Sequence, residues 1–166
     1  MTIDAVNRLD REAFVEAFGW IFEHSPWVAE RAWKERPFRD LRALHGSMIR
    51  QVEIASAAEQ MALLRAHPDL GTKAKVSEAS ATEQAGAGLD QLTPPEFQLL
   101  TRLNDGYKEK FRFPFLYAVK GSNKQDILSA LARRISANAE EEYAEAFRQV
   151  YRIAGFRLES CIREER

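Results

Sequence analysis

Cysteine, proline and glycine are scarce in this chain of 166 residues, which has one Cys, six Pro and eight Gly. The lone Cys161 cannot form a disulfide within the chain, and this is typical of a protein of a reducing compartment. So few Gly and Pro residues exclude a collagen-like or low-complexity chain. The sequence therefore predicts an ordinary globular protein.

A charge excess and long apolar runs are also missing. The 24 Lys and Arg nearly balance the 25 Asp and Glu, whereas nonspecific nucleic-acid binding usually needs a basic excess. No apolar run approaches the roughly 20 residues of a membrane span. The first ten residues lack the basic and apolar regions of a secretory signal. We therefore expect a cytoplasmic protein with no nucleic-acid or membrane partner.

Helix-forming residues are abundant. The chain has 24 Ala and 15 Leu against 7 Val and 8 Ile, and Ala and Leu favour helices whereas β-branched residues favour strands. The length is that of one ordinary domain. We predict an all-α fold, a single compact multi-helix domain over residues 1–166.

Capping residues predict where the helices begin. Polar residues with N-cap character precede several apolar stripes of helical spacing, and in some cases Glu or Gln follows three residues later as in a capping box. The predicted N-caps are Asp10, Ser25, Asp40, Ser56, Ser80, Thr93, Ser122 and Asn138. The helix that follows Ser56 should end near Ala66, because Pro68 disfavours helical geometry at His67.

Two segments are predicted to be irregular. Residues 67–92 form the longest stretch without a strong helical pattern, and a loop of that length in a compact domain is usually functional or disordered. Residues 111–119 have aromatic side chains at alternate positions, and Pro114 prevents a regular helix through them. No second strand-like run could pair with this segment, so we predict a buried, extended aromatic connector.

His67 is the first candidate for chemistry, because a histidine at a helix-to-loop break can transfer protons near neutral pH. A structural role at the turn is the alternative. The other histidines, His24 and His45, lie 43 and 22 residues away in sequence, without a close ligand pair, so we expect no metal site. No nucleophile elbow, phosphate-binding loop or dinucleotide motif occurs. Ser80 and Glu83 could be a capping box or could face His67 from a helix N-terminus.

Four motifs occur in order along the chain: His67-Pro68-Asp69-Leu70-Gly71, Ser80-x-x-Glu83-Gln84-x-x-Ala87-Gly88-Leu89, Phe111-x-Phe113-Pro114-Phe115 and Arg157-Leu158. With His24-Ser25-Pro26-Trp27, this pattern resembles the 2-oxo-4-hydroxy-4-carboxy-5-ureidoimidazoline (OHCU) decarboxylase family. The resemblance extends over nearly the whole chain. Each motif alone is modestly specific, but four in the right order are highly specific.

The resemblance implies an all-helical homodimer that decarboxylates OHCU to (S)-allantoin in urate degradation, without a cofactor. It implies that His67 is the catalytic acid or base and that Glu83 is its partner. The substrate-binding residues that it implies are Pro68, Ser80, Gln84, Phe115, Tyr117 and Arg157. Tyr117 stands where we would expect an aliphatic residue, which matters little if the backbone makes the contact.

Two other functions stay open from the residues themselves. One is a non-enzymatic helical interaction module, since metal, nucleotide and nucleophile motifs are missing. The other is an enzyme that acts on a different ureido compound. The residues do not distinguish a His67 that acts as acid, as base or as both. The chain ends on Arg163-Glu164-Glu165-Arg166, so we expect neither a peroxisomal signal nor a fused hydroxyisourate hydrolase domain.

Overall fold

The computed structural model describes residues 1–72 and 76–164. These described residues form nine α-helices and one short 3-10 turn, and none of them lies in a β-strand. The prediction of an all-α fold is confirmed. By its internal contacts the chain divides into two compact units, one made of residues 1–66 with the chain from Tyr151 onward and one of His67–Val150. A single domain stays a prediction.

The first unit holds five complete helices and the end of a sixth. Its elements are α1 (Ile3–Asn7), α2 (Arg11–Phe18), α3 (Trp27–Ala32) with the 3-10 turn Trp33–Glu35, α4 (Leu41–Glu53), α5 (Ala57–Arg65) and the last part of α9 (Ala139–Cys161). The helix α3 packs against α2 and α4. Buried apolar side chains fill the unit, among them Phe14, Phe18, Phe22, Leu44, Met48, Leu63 and Leu158.

The second unit holds α6 (Glu78–Gly86), α7 (Pro94–Phe111), α8 (Lys124–Arg134) and the first part of α9. The helix α7 packs against α8. Its buried apolar residues include Leu100, Tyr107, Phe115, Ile127, Leu131 and Ala146. Among the described residues of both units, none belongs to a helix long and apolar enough to cross a membrane.

Most of the predicted helix starts are confirmed. Side-chain oxygens of Asp10, Asp40, Ser56 and Thr93 accept hydrogen bonds from the backbone N–H three residues later, at 2.8 to 3.3 Å. Asn138 does the same at the start of α9, at 2.8 Å. The helix α5 also ends as predicted, with Ala66 as its C-cap.

The predicted cap at Ser25 is wrong. The helix α3 begins at Trp27, and its N-cap Pro26 makes no side-chain capping bond. The Ser25 hydroxyl instead donates to the Glu23 carbonyl at 2.8 Å. The Ser25 hydroxyl therefore satisfies a backbone carbonyl in the turn before α3 and does not cap the helix.

The predicted cap at Ser122 is one residue out of register. Asn123 caps α8 and forms a capping box with Asp126. Asn is as good an N-cap as Ser, and the Ser122 hydroxyl is hydrogen-bonded at 3.0 Å to that of Tyr117.

The predicted capping box of Ser80 and Glu83 is also wrong. The helix α6 begins three residues earlier, and the side chain of Ser77 accepts from Ser80 N at 3.1 Å. Ser80 and Glu83 thus lie inside the helix, and residues 67–92 are not all irregular. Ser77 was missed because no Glu or Gln stands three residues after it.

The aromatic connector is confirmed over residues 113–119, but its predicted start at Phe111 is wrong. Phe111 is the last residue of α7, Arg112 caps that helix with a positive φ of 69°, and residues 113–119 have no regular secondary structure. Phe113, Phe115 and Leu116 are buried. The connector therefore crosses the core of the second unit as irregular chain, so its backbone polar groups need partners from side chains.

Candidate active site

His67 is the first residue after the C-cap of α5, and it is 8% exposed. The loop that it opens is tied to the helix α7 by two hydrogen bonds. Asn104 Nδ2 of α7 donates to the Leu70 carbonyl at 2.9 Å, and Lys108 Nζ, also of α7, donates to Asp69 Oδ2 at 2.8 Å. The half-buried Pro68 stiffens the backbone beside His67. The loop therefore has fixed partners although it lacks regular structure.

Gly71 ends this loop with a backbone geometry that favours glycine. Its φ is +81°, in the left-handed region. A Cβ atom there would also lie 2.5 Å from Leu100 Cδ2. Because the positive φ disfavours a side chain and a Cβ atom would also displace Leu100, the Gly of the His-Pro-Asp-Leu-Gly motif shapes the loop that begins at His67.

The helix α6 carries the next three candidates. Ser80 and Gln84 are four residues apart and therefore lie on one helix face, with Glu83 beside them. Ser80 and Gln84 are each 8% exposed, and Glu83 is half-buried. Gln84 Oε1 accepts from Gly71 N at 2.9 Å. This hydrogen bond ties the loop of His67 to the helix of Ser80 and Glu83.

The connector carries the candidates Phe115 and Tyr117. Phe115 is buried and its ring stacks on that of the half-buried Tyr117, with centroids 5.9 Å apart. The backbone next to them is held by side chains, since Arg134 Nη1 donates to the Leu116 carbonyl at 2.5 Å and Ala118 N donates to Gln149 Oε1 at 3.0 Å.

A buried polar cluster supports the connector. Arg134 Nε and the Tyr107 hydroxyl both donate to Glu142 Oε1, at 2.7 and 2.5 Å. The Arg134 guanidinium also lies 4.5 Å from the centre of the Phe115 ring. Burial and the hydrogen bond to the Glu142 carboxylate raise the pKa of Tyr107 above its ordinary range. Tyr107 therefore serves as a neutral donor.

Sequence reasoning missed this cluster. Arg134 ends α8 and Glu142 stands in the first turn of α9, positions at which charged residues usually remain in solvent. Tyr107 fits the apolar stripe of α7 and gave no sign of a polar role. A charged residue within an otherwise apolar helix face was a signal of such a buried cluster, but this signal is weak.

Arg157 belongs to the first unit, whereas the other seven candidate residues belong to the second. Arg157 is 5% exposed, and its Nη2 donates to Glu23 Oε2 at 2.9 Å. Its Nη1 donates to the carbonyls of Trp20 and Ile21, at 3.2 and 3.3 Å. Arg157 is therefore a paired, buried cation that fixes the chain after α2. Sequence reasoning also missed Glu23, because the two partners are 134 residues apart.

Within residues 1–72 and 76–164, no group of three or more His, Cys, Asp or Glu side chains is arranged to hold a metal ion. What the second unit does bring together is the loop of His67, the helix of Ser80, Glu83 and Gln84, and hydrogen-bonding groups from α7. A titratable imidazole, a carboxylate and a hydroxyl on two linked elements can support acid–base chemistry.

Comparison with known proteins gives the family. Residues 7–159 match the family profile described as OHCU decarboxylase. A 2-oxo-4-hydroxy-4-carboxy-5-ureidoimidazoline decarboxylase from Haloferax volcanii is 48% identical, over 95% of this chain and 94% of that protein. A protein of the same name from Halalkalicoccus jeotgali is 43% identical, over 96% of this chain and 90% of that protein.

A solved structure supports the same assignment. The crystal structure of an (S)-allantoin synthase matches with a TM-score of 0.81 and 30% identity over 98% of this chain. This chain covers 54% of that chain, so it spans about half of its length. The two relatives are named as decarboxylases, and the matched structure has a similar fold over nearly the whole of this chain. This chain belongs to the OHCU decarboxylase family, and the resemblance seen in its motifs is confirmed.

Proposed function

We propose that this protein decarboxylates OHCU to (S)-allantoin without a metal or cofactor, with the residues that the family resemblance implies. The observation that carries the proposal is the hydrogen bond between Gln84 and Gly71, which ties the loop of His67 to the helix of Ser80 and Glu83. Family membership over residues 7–159 supports the reaction.

The reaction makes modest demands on the protein. The bond between the ring carbon and the carboxylate breaks, CO₂ leaves, and the adjacent C=N bond of the imidazoline accepts the electron pair. The ring nitrogen and the ureido-bearing carbon each gain a proton, and the hydroxyl loses one as it becomes a carbonyl. Because the substrate provides its own electron acceptor, the protein has only to bind the ring and to move protons to and from defined positions.

His67 and Glu83 are the groups proposed for proton transfer. A neutral imidazole can accept the hydroxyl proton, and an imidazolium can deliver a proton to one face of the ring. A carboxylate partner fixes the tautomer and raises the basicity of the imidazole. Acid–base help of this kind is typically worth roughly 10²–10⁴ in rate. Delivery to one face gives the (S) product.

The remaining candidates are proposed to bind the substrate. Ser80 and the Gln84 amide nitrogen offer polar contacts, since the Gln84 oxygen is already used by Gly71. Pro68 provides a rigid wall. The connector at Phe115 and Tyr117 meets the ring. Arg157 offers a planar, permanently charged fork that suits a carboxylate or a ureido carbonyl.

The protein is further proposed to be a cytoplasmic homodimer. The lone Cys161, which cannot close a disulfide within the chain, supports a reducing compartment. The family resemblance supports the dimer. Light scattering coupled to gel filtration should give twice the chain mass of 19.0 kDa. A mass of one chain would contradict the dimer.

The test of the reaction is circular dichroism of freshly generated OHCU, with and without the protein. We expect faster appearance of dextrorotatory (S)-allantoin with the protein, and the same rate after dialysis against a chelator. Racemic product at the uncatalysed rate would instead favour an interaction module. Turnover of another ureido compound alone would favour a different substrate. A loss of activity that zinc restores would contradict the metal-free mechanism.

A further inference from the structure

The connector between α7 and α8 has different partners along its two edges. Successive peptide groups of an extended segment point to alternate sides. The Leu116 carbonyl and the Ala118 N–H point to one side, where Arg134 and Gln149 bind them. The backbone N–H and carbonyl of Tyr117 belong to the opposite edge, and they form no hydrogen bond with any residue in the described part of the chain.

Both side chains that hold the first edge are themselves fixed. Gln149 is 7% exposed, and its Nε2 donates to Glu145 Oε1 at 2.8 Å. Arg134 is 8% exposed and is bound to Glu142. Because buried side chains with several partners have little freedom to move, they hold the connector in one position.

We propose that Gln149 and Arg134 are positioning residues, which fix one edge of the connector so that the opposite edge, at Tyr117, is presented to the substrate. A ureido group carries N–H donors and a carbonyl acceptor, and the Tyr117 N–H and carbonyl form the complementary pair. This inference rests on the proposed function. It adds residues that do not touch the substrate but set how tightly the substrate is bound.

Gln149→Met tests the inference directly. Met has a similar length but cannot accept the hydrogen bond of Ala118 N. We expect kcat/KM for OHCU to fall about tenfold, mainly through KM, because the displaced edge weakens binding while the proton-transfer groups are unchanged. Ile127→Val is the matched control. It removes a buried methylene from α8 and lowers stability, yet kcat/KM well below the unfolding transition should equal that of the wild type.

A paired exchange separates positioning from mere stability. Gln149→Glu combined with Glu145→Gln keeps an oxygen acceptor for Ala118 N and keeps one amide and one carboxylate in contact. This double variant should retain KM within about threefold of the wild type. If Gln149→Met does not fold, Arg134→Lys tests the same edge at Leu116, and KM should rise there as well.

The outcomes separate this inference from the proposed function. A wild-type protein that does not decarboxylate OHCU would overturn both, and the wild-type assay alone would reveal it. An active wild type with an unchanged KM in folded Gln149→Met, or in Arg134→Lys, would overturn only the inference. A raised KM in a folded paired exchange would also overturn it. A raised KM in Gln149→Met that the paired exchange restores would support it.

Discussion

Each compact unit holds a buried arginine paired with a buried glutamate. Arg157 binds Glu23 in the first unit, and Arg134 binds Glu142 in the second. Both arginines also donate to backbone carbonyls of irregular segments. The chemistry of the two pairs is therefore nearly the same, although only Arg157 lies in a motif of the family.

The surroundings of the two pairs differ. Glu142 also accepts a hydrogen bond from the Tyr107 hydroxyl, and Arg134 lies 4.5 Å from the Phe115 ring. The Arg157 guanidinium lies 5.8 Å from the centre of the Trp20 ring. Burial and pairing alone thus do not tell a substrate-binding arginine from one that only fixes the backbone. Mutations that remove the positive charge, the planar guanidinium group or a single hydroxyl group can tell the two kinds of arginine apart.

The largest effect is expected when the charge is removed. Arg134→Met leaves the Glu142 carboxylate buried without its cation, which should lower the free energy of unfolding by about 3–5 kcal/mol. Urea denaturation would measure it. The double variant Arg134→Met with Glu142→Gln removes the orphaned charge and should be more stable than the single variant. If it is less stable, the pair's charge is not the cause of the loss.

An intermediate effect is expected when the shape of the Arg157 side chain is changed but its charge is kept. Arg157→Lys keeps the charge but loses the planar fork that contacts Glu23, Trp20 and Ile21. We expect kcat/KM for OHCU to fall by about tenfold or more, since the proposal gives Arg157 a contact with the substrate. A wild-type kcat/KM with a lowered melting temperature would show that Arg157 contributes to stability and not to substrate binding.

The smallest effect is expected for Tyr107→Phe. The loss of one hydrogen bond to a carboxylate should cost about 1.5–3 kcal/mol, with little change in kcat. Because the folded state raises the pKa of Tyr107, its contribution to stability is complete below pH of about 10 and is lost as the pH rises further. The stability of Tyr107→Phe, measured by urea denaturation, should therefore fall less steeply above pH of about 10 than that of the wild type. Equal slopes would contradict this role.

Local signals were sufficient to predict most of the helices and most of their starts, but they gave no prediction of α1. Thr93 and Glu96 form their capping box within four residues, so no tertiary information was needed. Ser77 was missed because no Glu or Gln follows it three residues later, whereas Ser80 and Glu83 fit the capping-box pattern although they lie inside the helix. The connector could be predicted from Pro114 and its alternating aromatic residues.

The candidate site was predictable only in part. The motifs named His67 and Glu83, but Glu23 and Arg134 gave no usable signal. Glu23 meets Arg157 across 134 residues of sequence, and a contact of that separation leaves no local pattern. The partner of the Gln84 oxygen, Gly71 N, was also unforeseen, since a family motif does not specify which atom of a side chain is already used.

The role of His67 is the central claim, and comparison of His67→Asn with His24→Asn tests it most directly. Asn can form hydrogen bonds but cannot titrate near neutral pH. His24 is exposed and has a φ of +45°, which Asn tolerates well, so His24→Asn is a matched control. We expect His67→Asn to fold and its kcat for (S)-allantoin formation, followed by circular dichroism, to be lower by roughly 10²-fold or more. We expect His24→Asn to keep the kcat of the wild type. A folded His67→Asn protein with a kcat near that of the wild type would contradict it.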